Sequence, residues 1–197
     1  VLPDGWDKDA PYLVKMLEEE FNKAWVVHRI DKSTSGIIIF ALTAEAHRSL
    51  NIQFEKHLVE KTYHAILNGS PKWLDKITKF PLRANVGSKH RTVVDNRNGV
   101  RSETRFRILK QNQLSALAEA MPMTGRTHQI RVHAFALGYP LLGDILYSAP
   151  ETDIISRAAL HAYSLSFDHP TSNERLTFTA PYPADFQKAL RSLKLEN

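Results

Sequence analysis

The sequence predicts an α+β fold: one domain with a mixed, mostly antiparallel central sheet flanked by helices. Three observations lead there. Alternating or short apolar runs, the marks of strands, outnumber stretches with helical spacing. The two kinds do not alternate in the regular order that builds a parallel sheet. At 197 residues the chain can bury one good core and is too short for two ordinary enzyme domains, and no internal repeat or low-complexity segment divides it.

Taken in order, Asp9 is placed to cap a helix over residues 11–21, with Leu13, Met16, Leu17 and Phe21 at helical spacing. Residues 36–42 read as a buried strand. Thr43 then caps a helix whose Ala46, Leu50, Phe54 and Leu58 form an apolar stripe, expected in the core. Residues 61–67 form a strand closed by Asn68-Gly69-Ser70-Pro71, and its alternation puts Tyr63, Ala65 and Leu67 on one face. The basic stretch 72–101 is loop-rich with short strands. Residues 104–109 alternate, setting Phe106 beside Ile108, and 114–120 form another strand. Residues 128–137 fit a helix stopped by Gly138 and Pro140. Strands over 160–167 and 176–179 and a helix over 184–193 close the chain.

Composition narrows the class. Hydrophobic content of 43% and charged content of 24% are those of a globular protein. The absence of Cys excludes a disulfide framework and thiolate metal sites and fits a reducing compartment. No apolar run approaches the roughly 20 residues that cross a bilayer, and Val1-Leu2-Pro3-Asp4-Gly5 has no cationic-then-apolar signal pattern. A net charge of +5 is compatible with a polyanionic partner without demanding one.

The richest stretch is His28-Arg29-Ile30-Asp31-Lys32-Ser33-Thr34-Ser35-Gly36, followed at once by Ile37-Ile38-Ile39-Phe40. One carboxylate sits in a turn of hydroxyls and glycine, flanked by two basic residues and anchored on an apolar run. That arrangement can hold an acid rigidly where a ligand reaches it. By itself the turn reads as a surface loop whose Asp caps the local backbone.

The same residues resemble the nucleophile motif of the RluA-type pseudouridine synthases, His-Arg-Leu-Asp-x-x-Thr-Ser-Gly, with Ile30 the departure among the fixed positions. Further matches follow in the family's order: Lys61-Thr62-Tyr63-His64-Ala65, then Gly125-Arg126-Thr127-His128-Gln129-Ile130-Arg131-Val132-His133, Gly143-Asp144 with Tyr147, and Leu160-His161-Ala162. Together they cover nearly the whole chain. The resemblance implies the pseudouridine synthase fold and isomerisation of a uridine in ribosomal or transfer RNA, by a cytoplasmic monomer with no cofactor and no metal. It also implies a strand ending in Asn-Lys-Pro-x-Gly upstream of Val1, and with it an accessory RNA-binding domain, both missing from residues 1–197. The basic run Lys79, Arg83, Lys89, His90, Arg91, Arg97, Arg101, Arg105 and Arg107, otherwise readable as a solvated face, is then favoured for phosphate contact.

Residue roles carry over by position. Asp31 is the implied nucleophile, because a carboxylate can form an adduct and later leave. Arg131 is its implied guanidinium partner, a planar fork that favours the ionised acid. Tyr63 is implied to contact the base and move a proton. Arg29 is the candidate wedge that fills the stack when the base is extruded, with His28 either its helper or a packed residue. Leu160 packs on the uracil's other face. Thr34, Gly36, Arg126 and His128 complete the substrate-contacting set, His128 either touching the RNA or orienting Arg131 from the same helix face, while Asp144 and Tyr147 are expected to brace the pocket rim. Three competitors differ in chemistry. A zinc hydrolase is disfavoured because His128 and His133 lie five apart and no His-Glu-x-x-His occurs. An RNA-binding module needs no isolated carboxylate. An N-glycosidase stops at free uracil.

Overall fold

The structure, a computed structural model, describes residues 12–196. Its elements are α1 (Leu13–Phe21), β1 (Trp25–Val26), β2 (Ser35–Gly36), β3 (Phe40–Ala41), α2 (Ala44–Glu55), β4 (Glu60–Asn68), β5 (Asp75–Thr78), β6 (Leu82–Val86), β7 (Arg91–Val94), β8 (Thr104–Gln111), β9 (Ser115–Pro122), α3 (Gln129–Ala136), a 3-10 turn (Ile145–Tyr147), β10 (Leu160–Asp168), β11 (Arg175–Thr179) and α4 (Ala184–Ser192). The predicted α+β class holds. The main sheet runs β11-β10-β4-β9-β8-β5, antiparallel throughout, and β2 adds the one parallel pairing, to β10.

Alternation along the strands assigns the two faces. Ala65 and Leu67 of β4, Phe106 of β8 and Ala116, Ala118 and Ala120 of β9 pack with Ile130 and Ala134 of α3. Tyr63 and Ile108 join the same cluster half-buried, as their spacing predicts. On the other face, Ile66 and Leu117 meet Phe186, Ala189 and Leu190 of α4. Phe106 and Phe186 are fully buried on opposite sides of the sheet, each contributing about 1.5–3 kcal/mol of apolar burial.

In β10 the register with β4 shifts between Ala162 and Ser164. The extra residue inverts the alternation, so Leu160 before the bulge and Leu165 and Phe167 after it face the same way. Leu165 and Phe167 there support α2 through Leu50 and β3 through Ala41. The predicted cap of α2 is present: Thr43 Oγ1 accepts from the Ala46 amide at 3.1 Å. Its apolar stripe ends sooner than its spacing suggests, since Leu58 is exposed beyond the helix end.

Two local expectations are corrected. The strand predicted over 36–42 is broken. Gly36 pairs with Ala162 and the Ile37 amide donates to Ala162 O at 3.0 Å, after which β11 takes over that edge of β10 from Ser164 onward. Displaced from the sheet, the chain crosses to pair β3 with β1 instead. In α1 the predicted stripe is not the buried side: Val14 is buried, whereas Met16 and Phe21 are exposed. The proposed cap, Asp9, lies outside the described residues.

Candidate active site

A cleft of about 410 Å³ opens on the sheet face that carries α2 and α3. Asp31, Tyr63, Arg131, His28, Arg29, Thr34, Arg126, His128 and Leu160 all line it. These residues come from four separate parts of the chain. Gly36 does not line it. It has φ +105°, and a Cβ there would sit 2.1 Å from Ala162 O. Glycine is required at this position because the backbone of β2 lies directly against β10, and that contact seats the turn carrying Asp31.

The turn is closed by the Thr34 amide, which donates to Asp31 O at 2.9 Å. Facing it, Arg131 uses both sides of its fork. Nη1 donates to Asp31 Oδ2 at 3.3 Å, while Nε and Nη2 each donate to the Asp144 carboxylate at 2.7 Å. Arg131 is 7% exposed and Asp144 only 2%. Asp144 is therefore not a rim residue, as expected from sequence, but the buried anchor that aims the guanidinium. Burial by itself lowers the Arg131 pKa, but the Asp144 hydrogen bonds and the charges of Asp144 and Asp31 more than offset it, so the group stays charged.

His128 begins α3 in the left-handed conformation, φ 53°, with Nδ1 2.9 Å from the Tyr147 hydroxyl and Nε2 4.0 Å from Asp31 Oδ2. Burial first, with Arg131 and Arg29 adding, lowers its pKa even though Asp31 pulls the other way, so it meets Asp31 as a neutral ring. Tyr147 in turn accepts from the Thr92 amide at 3.0 Å and lies under the Arg131 guanidinium at 5.0 Å. It belongs to the support beneath Arg131, not to the rim. Tyr63 is pushed up to about 12 by burial and by Asp31, so the resting site holds a neutral phenol.

His28 is packed. Its ring stacks on Phe54 at 4.6 Å and Nε2 accepts from the Ile39 amide at 3.0 Å. Burial, then Lys61, lowers it to about 4. His64, on the opposite sheet face, is likewise lowered to about 4 by burial. Both are neutral when folded and take up protons more readily once unfolded. Their contribution is complete above pH 6.5 and is lost as pH falls towards 4, by about 1–3 kcal/mol each. Urea unfolding at pH 7.5 and 4.5 should record that loss, and His64→Phe should flatten the difference. Equal pH dependence in the variant means His64 is not the proton acceptor.

The basic stretch divides. Arg105 forks onto Asp75, Arg107 onto Glu119, Arg83 pairs with Asp95, and Lys79 and Arg101 flank Glu103. Arg107 and Glu119 are in register with His64, which puts Arg107 on the face away from the cleft. Each of these cations therefore has a carboxylate neighbour. The side-chain cations of Lys89, Arg91 and Arg97 and the ring of His90, on the β6–β7 hairpin and the loop after it, have no carboxylate within 4 Å among the described residues. The hairpin packs through Leu82 on Val132 and Tyr147.

Residues 7–136 match the model of the RNA pseudouridylate synthase family. The chain belongs to this family. The ribosomal large subunit pseudouridine synthase D of Zymomonas mobilis is 35% identical over 180 residues, 87% of this chain and 57% of that protein. The ribosomal large subunit pseudouridine synthase C of Vibrio parahaemolyticus is 38% identical over 178 residues, 87% and 56%. The chain thus spans just over half the length of the curated relatives it matches. Among solved structures, human RNA pseudouridylate synthase domain containing 1 superposes with a TM-score of 0.74 at 30% identity, covering 86% of this chain and 73% of that one. Human RNA pseudouridylate synthase domain containing 4 gives 0.76 at 25% identity, covering 92% and 80%. The family resemblance and the fold read from the motifs are both borne out.

Within this family member, Gln129 is a site-building residue that motif reading passed over. Its Oε1 accepts from the Thr124 hydroxyl at 2.6 Å and the Arg126 amide at 3.0 Å, and its Nε2 donates to Glu103 O and Thr104 Oγ1, both at 2.9 Å. A nearly buried amide thereby ties the 124–128 loop to β8 and presents Arg126 and His128 to the cleft. A glutamine inside a recognised motif was the available signal. Among the described residues no group of His, Asp and Glu is placed to hold a metal ion, and no helix is long and apolar enough to cross a membrane.

Proposed function

We propose that this protein isomerises a uridine in RNA to pseudouridine, with Asp31 as nucleophile acting on a base flipped out into the cleft. The observation that carries the reading is the placement of one partly exposed carboxylate against a buried, permanently charged guanidinium, in a cleft floored by Tyr63 and Leu160. The bond from C1′ to N1 breaks, the uracil turns, a bond from C1′ to C5 forms, N1 gains a proton and C5 loses one. No electrons are exchanged, so the residues need only stabilise charge, hold the base and move a proton.

In this reading Arg131 orients the Asp31 carboxylate for attack through the Nη1 hydrogen bond. Tyr63 and Leu160 sandwich the uracil. Tyr63 begins as a phenol, so it removes a carbon proton only after losing its own. Converting Asp31 to a neutral ester lifts one of the two causes that hold that phenol protonated. The two bacterial relatives, both named for the ribosomal large subunit, support a ribosomal rather than a transfer RNA target, and with it a cytoplasmic site of action.

The direct test is tritium release from RNA carrying 5-tritiated uridine, with nucleoside analysis of the product. Release together with pseudouridine supports the proposal. Free uracil without tritium release marks an N-glycosidase, and binding with neither product marks a non-catalytic RNA-binding module.

Arg29 is exposed at the cleft, two residues before Asp31. Extruding a stacked base costs a few kcal/mol, and a planar cation filling the gap offsets part of it. Arg29→Ala should therefore slow single-turnover conversion of a structured RNA about tenfold more than that of an unstructured oligomer with the same target. Equal losses on both substrates, at saturating enzyme, exclude the wedge role.

A further inference from the structure

The Asp31 turn is held from behind by an arginine that no motif reading assigned. Arg157 lies just before β10, with its side chain 19% exposed. Its Nη1 donates to Ser33 O at 2.9 Å and Leu160 O at 3.1 Å. Its Nη2 donates to Ser35 Oγ at 3.1 Å and Asp185 Oδ1 at 3.0 Å, and its Nε donates to Asp185 Oδ2 at 2.6 Å. A guanidinium has five N–H donors, and these acceptors, with Ala158 O 3.3 Å from Nη1 beside them, engage all of them. One side chain therefore ties three pieces together: the turn that carries Asp31, the start of β10 where Leu160 lines the cleft, and the first turn of α4. Ser35 extends the clamp, its Oγ lying 3.0 Å from His161 Nδ1, while His161 Nε2 lies 3.2 Å from Ala180 O.

Ser33 and Ser35 follow Asp31 by two and four residues, so whatever fixes them fixes where the carboxylate stands. The direct link across the cleft, from Asp31 to Arg131, is a single bond of 3.3 Å. On its other side the turn is held by contacts of Ser33, Ser35 and Gly36 with β10 and Arg157. A displacement of about 1 Å at a reacting group can cost on the order of a hundredfold in rate.

We propose that Arg157, anchored by Asp185, is a positioning residue for the reaction: it locks the Asp31 turn against the Leu160 wall of the cleft, so that the carboxylate stays aligned with Arg131 and the base. This rests on Asp31 being the nucleophile. Arg157 touches neither substrate nor reacting atoms, and α4 enters the mechanism through it.

The test is a kinetic cycle on substrate RNA with Arg157→Ala, Asp185→Ala and the double variant, each confirmed folded by thermal unfolding, with Asp31→Asn as control. Arg157→Ala should lower kcat by about ten- to a hundredfold while KM for RNA changes by less than about threefold. Arg157→Lys should restore little, because three donors on a flexible stem cannot serve five acceptors. Asp185→Ala removes only the anchor at a half-exposed site and should give a smaller kcat loss. The double variant should match Arg157→Ala, since Asp185 acts through the arginine. Unchanged kcat in a folded Arg157→Ala or Asp185→Ala protein, a loss confined to KM, or additive losses in the double variant overturn the proposal. If Asp31→Asn remains active, it is the nucleophile assignment that fails.

Discussion

Asp31→Asn should fold and bind RNA as the wild type does, yet form pseudouridine more slowly by a factor on the order of 10⁴ or more, the scale for removing a nucleophile. The amide keeps the shape of the carboxylate and can still accept the bond from Arg131 Nη1, so the turn and the cleft survive. What is lost is the charge and the lone-pair nucleophilicity. Because Asp31 is partly exposed and makes a single bond to Arg131, its replacement should shift Tm by no more than a few degrees, consistent with about 1 kcal/mol. Tritium release within tenfold of wild type would remove Asp31 from the nucleophile role.

The second large effect separates stability from chemistry at the Arg131–Asp144 pair. Asp144→Ala leaves a buried guanidinium whose remaining carboxylate contact is the weaker one to Asp31, and should destabilise the fold by about 3–5 kcal/mol. Arg131→Met should cost a similar amount by stranding the almost fully buried Asp144 carboxylate. The double variant Arg131→Met/Asp144→Leu removes both charges together and fills the space with apolar groups, so it should recover most of that loss. It should nevertheless remain inactive, because the cation that holds Asp31 is gone. Urea unfolding and single-turnover rates measured on the three variants give the comparison. A double variant as unstable as either single, or one that regains activity along with stability, would show that the pair serves another purpose.

Much of the architecture was legible because its causes act within a few residues. Thr43 caps α2 with its own hydroxyl, alternation in 60–68 and 104–111 sets Ala65 and Phe106 on one face, and Gly138 ends α3 with φ +87°. Nine of the ten residues chosen from the sequence for the site converge on one cleft. They could be chosen because the family's motifs keep these residues in short local strings, even though the strings lie far apart along the chain.

What the sequence determined alone was the order and kind of most of the elements, the α+β class and the identity of most of the groups that face the cleft. The tertiary structure decided how those groups are held. Asp31 meets Arg131 across 100 residues and Ser35 meets Arg157 across 122, while Asp144 proved to be a buried anchor. The apolar run 37–40 left the sheet because β11 occupies the edge of β10 it would have continued along, and a bulge in β10 inverted the alternation expected of a regular strand. Periodicity and turn chemistry are properties of a window of residues and can be read there. Which edge is already occupied, and which charge is buried beside which, depends on packing between distant segments that no single window contains.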